Sequence, residues 1–143
     1  MQITQAIDSN FESVQRYACR AIYRLAAHSE IQSLCIDAGI VPALNKLSYS
    51  PSALVRKFAV MSLCNISVHE SNQEKLAHLG SLPALIHLLN DQEEIVARYA
   101  AMSLTNLSTE GKNQVYIAKN WINAPACFDC VSNFTKSPFL FRT

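Results

Sequence analysis

The apolar positions of this chain fall into stripes of helical period. Over 93–108, Val96, Ala100, Leu104 and Leu107 recur at spacings of four, four and three residues, which sets them on one face of a helix. Arg98, Met102 and Asn106 each follow one of these positions by two residues. Two residues correspond to a rotation of roughly 200°, so this second stripe points away from the first. The pattern predicts a two-faced helix, with aliphatic residues inward and a cation, a thioether and an amide outward.

That helix is written more than once. Gly39-Ile-Val-Pro42-Ala-Leu44-Asn-Lys-Leu47 matches Gly80-Ser-Leu-Pro83-Ala-Leu85-Ile-His-Leu88, a shift of 41 residues from Gly39 to Gly80. The same shift carries Val55, Ala59, Met61, Ser62, Leu63, Asn65 and Ser67 onto Val96, Ala100, Met102, Ser103, Leu104, Asn106 and Ser108. Moving back by the same step reaches Val14, Ala18, Ile22 and Leu25, a more diverged copy. A period near 40 built from helices belongs to the α-solenoids.

Punctuation divides each unit into three helices. A short first helix is expected after Ser71-Asn-Gln-Glu74, with Ser71 as cap and Glu74 closing a capping box. Gly80 supplies a left-handed stop, and the second helix is expected to open at Pro83. Asp91 with Glu94 forms a further candidate capping box for the long third helix, and Ser50-Pro51 has the same role in the preceding unit. The chain predicts helix and turn throughout, with no candidate strand or linker. Residues 1 to about 28 supply the second and third helices of a partial unit. Full units follow at about 29–68 and 69–109, then the first helix of another at 112–120. From 121 to 143 the pattern fails, and that segment reads as a divergent tail. Both ends are abrupt, which suggests a piece of a longer array.

Composition narrows the function classes. A length of 143 residues, half of them apolar, suits one domain with a sizeable core. The formal net charge of +1 supplies no overall attraction to nucleic acid, so any basic feature is local. No apolar run approaches the roughly 20 residues of a membrane span, and the start of the chain lacks the features of a secretory signal. The expected location is cytoplasmic, with the nucleus as the other option. Cys19, Cys35 and Cys64 sit in helical patterns and read as core residues. Cys127 and Cys130 have C-x-x-C spacing, but no second ligand pair follows and no βαβ pattern surrounds them. Cys64 and His69 are five residues apart, so they face different ways, and nothing supplies an orienting third group. No enzyme, metal site or cofactor is expected.

The motif G-x-x-P-x-L-x-x-L followed by V-x-x-x-A-x-x-x-L-x-N-[IL]-S resembles the armadillo repeat, from Gly39 to Ser67 and again from Gly80 to Ser108. The resemblance spans about residues 1–120. It implies an all-α, right-handed superhelical solenoid of three-helix repeats, whose third helices line a concave groove for an extended peptide. It also implies that the third-helix asparagine, here Asn65 and Asn106, hydrogen-bonds the peptide backbone. Arg24 stands at that position in the first copy. The importin-α type places a tryptophan four residues before the asparagine; here those positions hold Arg20, Met61 and Met102. The chain is more similar to the β-catenin type or the vacuolar-membrane scaffolds, without one subfamily being singled out.

The outward columns are then Arg16, Arg20, Arg24 and His28; Lys57, Met61, Asn65 and His69; Arg98, Met102, Asn106 and Glu110. Of these, Arg16, Arg20, Arg24, Lys57, Met61, Asn65, His69, Arg98, Met102 and Asn106 are the candidate peptide-binding residues. Guanidinium forks suit carboxylates and phosphates, an amide satisfies both halves of a peptide bond, and thioethers give an adaptable floor. The expected partner is a protein segment bearing acidic or phosphorylated residues, held by a non-catalytic scaffold or adaptor. The competing reading makes the charges a solvated face and the asparagines ties between neighbouring helices. A third makes the chain a fragment of a longer armadillo protein, contributing stacking surface and able to self-associate through open ends. Membrane recruitment is expected only through a partner.

Overall fold

The computed structural model describes residues 2–121, the side chain of Trp121 excepted. Among them are nine helices and no strand, as the periodicity predicts. They are α1 (Ile3–Ile7), α2 (Glu12–Ala26), α3 (Ser29–Asp37), α4 (Ile40–Leu47), α5 (Ala53–Ile66), α6 (Glu70–His78), α7 (Ser81–Leu88), α8 (Glu94–Leu107) and α9 (Gly111–Trp121). The expected tail beyond Trp121, including Cys127 and Cys130, lies outside the described residues.

The 41-residue register becomes a set of stacked layers. Helices α2, α5 and α8 pack in succession, α1, α4 and α7 form a second row, and α3 lies against α6. The inward stripe seals this stack: Val96, Ala100, Leu104 and Leu107 are fully buried, as are Val55, Ala59 and Ile66 one unit earlier. Fully burying such an aliphatic side chain is worth about 1.5–3 kcal/mol, which makes the repeated stripe the main source of stability.

Two turns need glycine. Gly39 and Gly80 have φ of 72° and 84°, left-handed backbone that L-side chains disfavour. The space around each would admit a Cβ, so conformation alone selects glycine there. Each glycine is also the residue from which the second helix starts, at Ile40 and Ser81. These helices therefore open ahead of Pro42 and Pro83 and not at them, which leaves each proline in the third helical position. The prolines lose nothing by it, because the first four N–H groups of a helix have no internal partner.

The expected caps are corrected in the same way. Ser50 and Asp91 do not cap the third helices; Ser52 and Glu93 occupy those positions. Ser50 Oγ instead accepts the Ser52 N–H (3.2 Å), and Asp91 Oδ1 accepts the Glu93 N–H (3.0 Å). Ser9 Oγ does the same for Phe11 (3.2 Å), so one side-chain-to-backbone turn recurs three times in register ahead of the third helices. Ser71 is not a cap either. His69 holds that place, and Ser71 lies inside the first turn of α6.

The polar residues of that first turn reach backward instead. Gln32, Gln73 and Gln114 donate from Nε2 to the carbonyls of Ala26 (2.9 Å), Ser67 (3.2 Å) and Ser108 (2.8 Å). Asn72 and Asn113 likewise donate to Ile66 (3.1 Å) and Leu107 (3.0 Å). These carbonyls end the third helices and have no partner within them, so each first helix clamps the open end of the preceding third helix.

Candidate functional site

The outward face of α2, α5 and α8 carries Arg16, Arg20, Arg24, Lys57 and Arg98. These helices also hold Arg56, with only Glu12 and Glu94 as acids. Arg20, Arg24 and Arg98 are exposed, whereas Arg16 and Lys57 are half-buried. The half-buried pair lie against rings: Arg16 Cζ is 5.2 Å from the centroid of Tyr17, and Lys57 Nζ is 5.8 Å from that of Phe58. Such contacts hold a cation over an aromatic face without neutralising it.

Ion pairs among the described residues leave these five cations out. Lys46 pairs with Asp8, Arg56 with Asp91, and both His78 and Lys112 approach Glu74. The Arg56–Asp91 contact is bidentate, with Nε to Oδ2 at 2.6 Å and Nη2 to Oδ1 at 3.1 Å. Burial would raise the Asp91 pKa, but the Arg56 guanidinium and the Glu93 N–H outweigh it and hold the carboxyl below its ordinary value. Arg56 thus joins α5 to the α7–α8 turn, while its neighbour Lys57 stays with the outward column.

Both asparagines of the column are half-buried and already donate one hydrogen bond. Asn106 Nδ2 reaches Ser67 Oγ at 3.0 Å, and Asn65 Nδ2 reaches the Tyr23 carbonyl at 3.4 Å. The difference follows from the register: one unit before Ser67 stands Ala26, which has no hydroxyl to offer. Each asparagine therefore ties its helix to the preceding unit through its amide hydrogens, and among the described residues its carbonyl oxygen accepts no hydrogen bond.

The remaining column residues divide. Met102 is half-buried at the surface, but Met61 is only 8% exposed and offers little to a ligand. His28 and His69 do not continue the third helices, because α2 ends at Ala26 and α5 at Ile66. They occupy the cap positions of α3 and α6, where both are exposed. Glu110 likewise lies past the end of α8. Tyr17, Phe58 and Tyr99 repeat in register beside the column; Tyr17 is exposed and the other two are half-buried. Tyr23, which the sequence pattern did not single out, extends this aromatic edge, with its ring centroid 6.2 Å from that of Phe58.

The cysteines of the described residues belong to the interior. Burial pushes the Cys19 thiol up to about 12 and that of Cys64 up to about 11, and it raises Cys35 as well. Thiols so held have little thiolate at neutral pH.

Comparison with known proteins defines the class to which this repeat architecture belongs. The profile of the family described as Armadillo-like matches residues 37–133, more than half the chain, and the chain belongs to that family. Among solved structures, it is similar to a designed armadillo repeat protein in complex with the peptide (KR)4, with a TM-score of 0.80 at 24% identity over 93% of this chain. A second designed armadillo repeat protein gives 0.80 at 26% identity over 95%. A third, from computationally designed armadillo repeat proteins for modular peptide recognition, gives 0.80 at 24% over 95%. This chain spans 60%, 56% and 56% of their respective lengths. A search of the curated proteins finds no match. Within the described residues, no helix is long and apolar enough to cross a membrane.

Proposed function

We propose that this chain is a non-catalytic interaction scaffold whose groove, lined by α2, α5 and α8, holds an extended partner segment bearing acidic or phosphorylated residues. The observation that carries this reading is the in-register set Arg16, Lys57 and Arg98 together with Arg20 and Arg24 on the same face of α2, all unpaired with any carboxylate among the described residues and set beside Asn65 and Asn106. Cations kept apart from the protein's own acids are available to a ligand's carboxylates or phosphates. The carbonyl oxygens of Asn65 and Asn106 can take N–H groups from an extended backbone while their amides keep the solenoid tie. The (KR)4 peptide of the designed neighbour is itself basic, and Arg16, Arg20 and Arg24 would repel a ligand of that charge here. The buried, raised thiols favour a binding role over cysteine chemistry.

Fluorescence anisotropy with a glutamate-rich peptide, its phosphoserine version and a lysine-rich peptide tests this reading. The acidic peptides should bind at least tenfold more tightly than the basic one and weaken as salt rises. Changing Arg16, Arg20 and Arg24 to Ala should remove most of that preference. Equal, salt-insensitive binding of all three peptides would overturn the proposal.

A further inference from the structure

Two aromatic rings meet at the seam where α2 packs on α5. The ring centroids of Tyr23 and Phe58 are 6.2 Å apart with planes tilted by 43°, and both side chains are half-buried. Helical rotation brings them together. Tyr23 stands two turns after Arg16 and about 20° back from its line, toward α5. Phe58 follows Lys57 directly, about 100° round the helix and turned back toward α2. Polar groups surround the pair: Lys57 Nζ lies 5.8 Å from the Phe58 centroid, and Asn65 Nδ2 reaches the Tyr23 carbonyl at 3.4 Å. The Asn65 carbonyl oxygen accepts no hydrogen bond among the described residues. One unit on, the same register places Cys64 and Tyr99 at the α5–α8 seam, and Cys64 brings a buried thiol in place of the first ring. The asparagine and the second ring therefore recur, whereas the ring pair does not.

We propose that Tyr23 and Phe58 seat one aromatic side chain of the partner segment and so fix where along the groove that segment binds; this rests on the extended-segment reading above. Repeated layers offer a ligand the same contacts at each step, so a feature that breaks the repeat sets its position. The tilted pair presents a ring face and a ring edge, and a third ring can meet either at the centroid separations, about 4.5–7 Å, where aromatic rings attract. An aliphatic side chain would gain burial without that contact. A cationic one, the other common partner of a ring face, is repelled by the Lys57 ammonium already held over Phe58. The same ammonium suits a carboxylate beside the aromatic residue, and the Asn65 carbonyl can take a backbone N–H next to it. The segment that fits is extended and carries one Phe or Tyr flanked by acidic residues.

The probes are labelled glutamate-rich peptides with Phe, Leu or Ala at the centre, titrated against the full chain alongside a lysine-rich peptide. The Phe peptide should bind at least fivefold more tightly than the Ala peptide and at least twofold more tightly than the Leu peptide. Tyr23→Leu or Phe58→Leu should abolish the Phe-to-Ala ratio, whereas Tyr23→Phe, which keeps the ring, should preserve it. Tyr99→Leu, the same change one seam on, should alter the ratio less than twofold. Each ratio compares two peptides on one variant, so a general loss of stability cancels. In the unaltered chain, nuclear Overhauser contacts should join the peptide ring to Tyr23 and Phe58, a readout that needs no variant to fold. Equal binding of the Phe and Ala peptides, both still tighter than the lysine-rich one, would overturn the inference and leave the extended-segment reading standing. Loss of the ratio in Tyr99→Leu alone would overturn it in the same way. Acidic peptides that bind no better than the lysine-rich one would remove the reading and the inference together.

Discussion

Thr109 donates its hydroxyl hydrogen to the side-chain carbonyl of Gln73, completing a glutamine whose amide already holds the end of α5. One unit earlier the partner is missing. Gln32 clamps Ala26 in the same way, but Val68 stands where Thr109 would, and Gln32 Oε1 is buried without a hydrogen bond. Val68→Thr should supply that donor and raise stability by about 1 kcal/mol, the net worth of a hydrogen bond made to a buried acceptor. Val68 is exposed, so no core packing is lost. Thr109→Val should cost a similar amount. Urea unfolding midpoints check both, and a Val68→Thr midpoint at or below that of the parent would refute the pairing.

Gly39 and Gly80 should each resist alanine. With left-handed φ and open space around the Cβ position, the cost is conformational, about 1–2 kcal/mol per site. Gly111 lacks a positive φ, and Gly111→Ala should be tolerated. The contrast between the three variants in thermal or urea unfolding separates backbone strain from general crowding.

The Arg56–Asp91 pair predicts an acid-sensitive step. The folded-state pKa of Asp91 is depressed, so its contribution to stability is present above the unfolded carboxyl value near 3.9 and is lost as pH falls through the lower folded value. Asp91→Asn should therefore cost about 2 kcal/mol at neutral pH and flatten the decline of stability below about pH 4. Unfolding midpoints measured from pH 7 to pH 2.5 test the sign; parallel curves for the two proteins would show that Asp91 does not titrate in this way.

Asn106 and Asn65 should differ in their structural role. Asn106→Ala removes a bond to the Ser67 hydroxyl and should cost about 1 kcal/mol, whereas Asn65, whose 3.4 Å contact is long, should cost less. Ser67→Ala should abolish the difference. Both alanine variants should weaken the acidic peptide of the proposed function by a comparable factor, because the oxygen that would meet it is the same in each. Measuring stability without peptide and affinity with it keeps the two roles apart.

Much of the architecture is legible in the residue pattern, because a buried stripe must repeat with the helix that carries it. Val55, Val96, Leu104 and Leu107 announce their faces through spacing alone, and Gly39 and Gly80 announce their turns through residue type. The caps are harder. Ser50 and Asp91 are good capping residues, but their type does not say which N–H they take, and a two-residue turn competes with the helix start for the same oxygen. Gln32, Gln73 and Gln114 look like polar residues of a solvated face, although their 41-residue spacing is visible. Geometry at the end of the preceding helix gives them a partner. In the candidate site, the direction of the columns follows from the helical rotation, but burial separates Met61 from Met102 and helix termination removes His69 from its column. The amide partners of Asn65 and Asn106 depend on whether the preceding unit offers Ser67 or Ala26.

The third helices differ in how they are flanked. Among the described residues, helix α5 is held between α2 and α8, whereas α2 and α8 each contact one third helix. In a linear stack each unit draws its stability from adjacent units, so spontaneous opening begins where a neighbour is missing. In this chain, amide hydrogens of α2 and of α8 should exchange with solvent before those of α5. In this chain the arginines of α2 thus stand on a helix freer to adjust its cations to a ligand than α5, which stays fixed as a ruler.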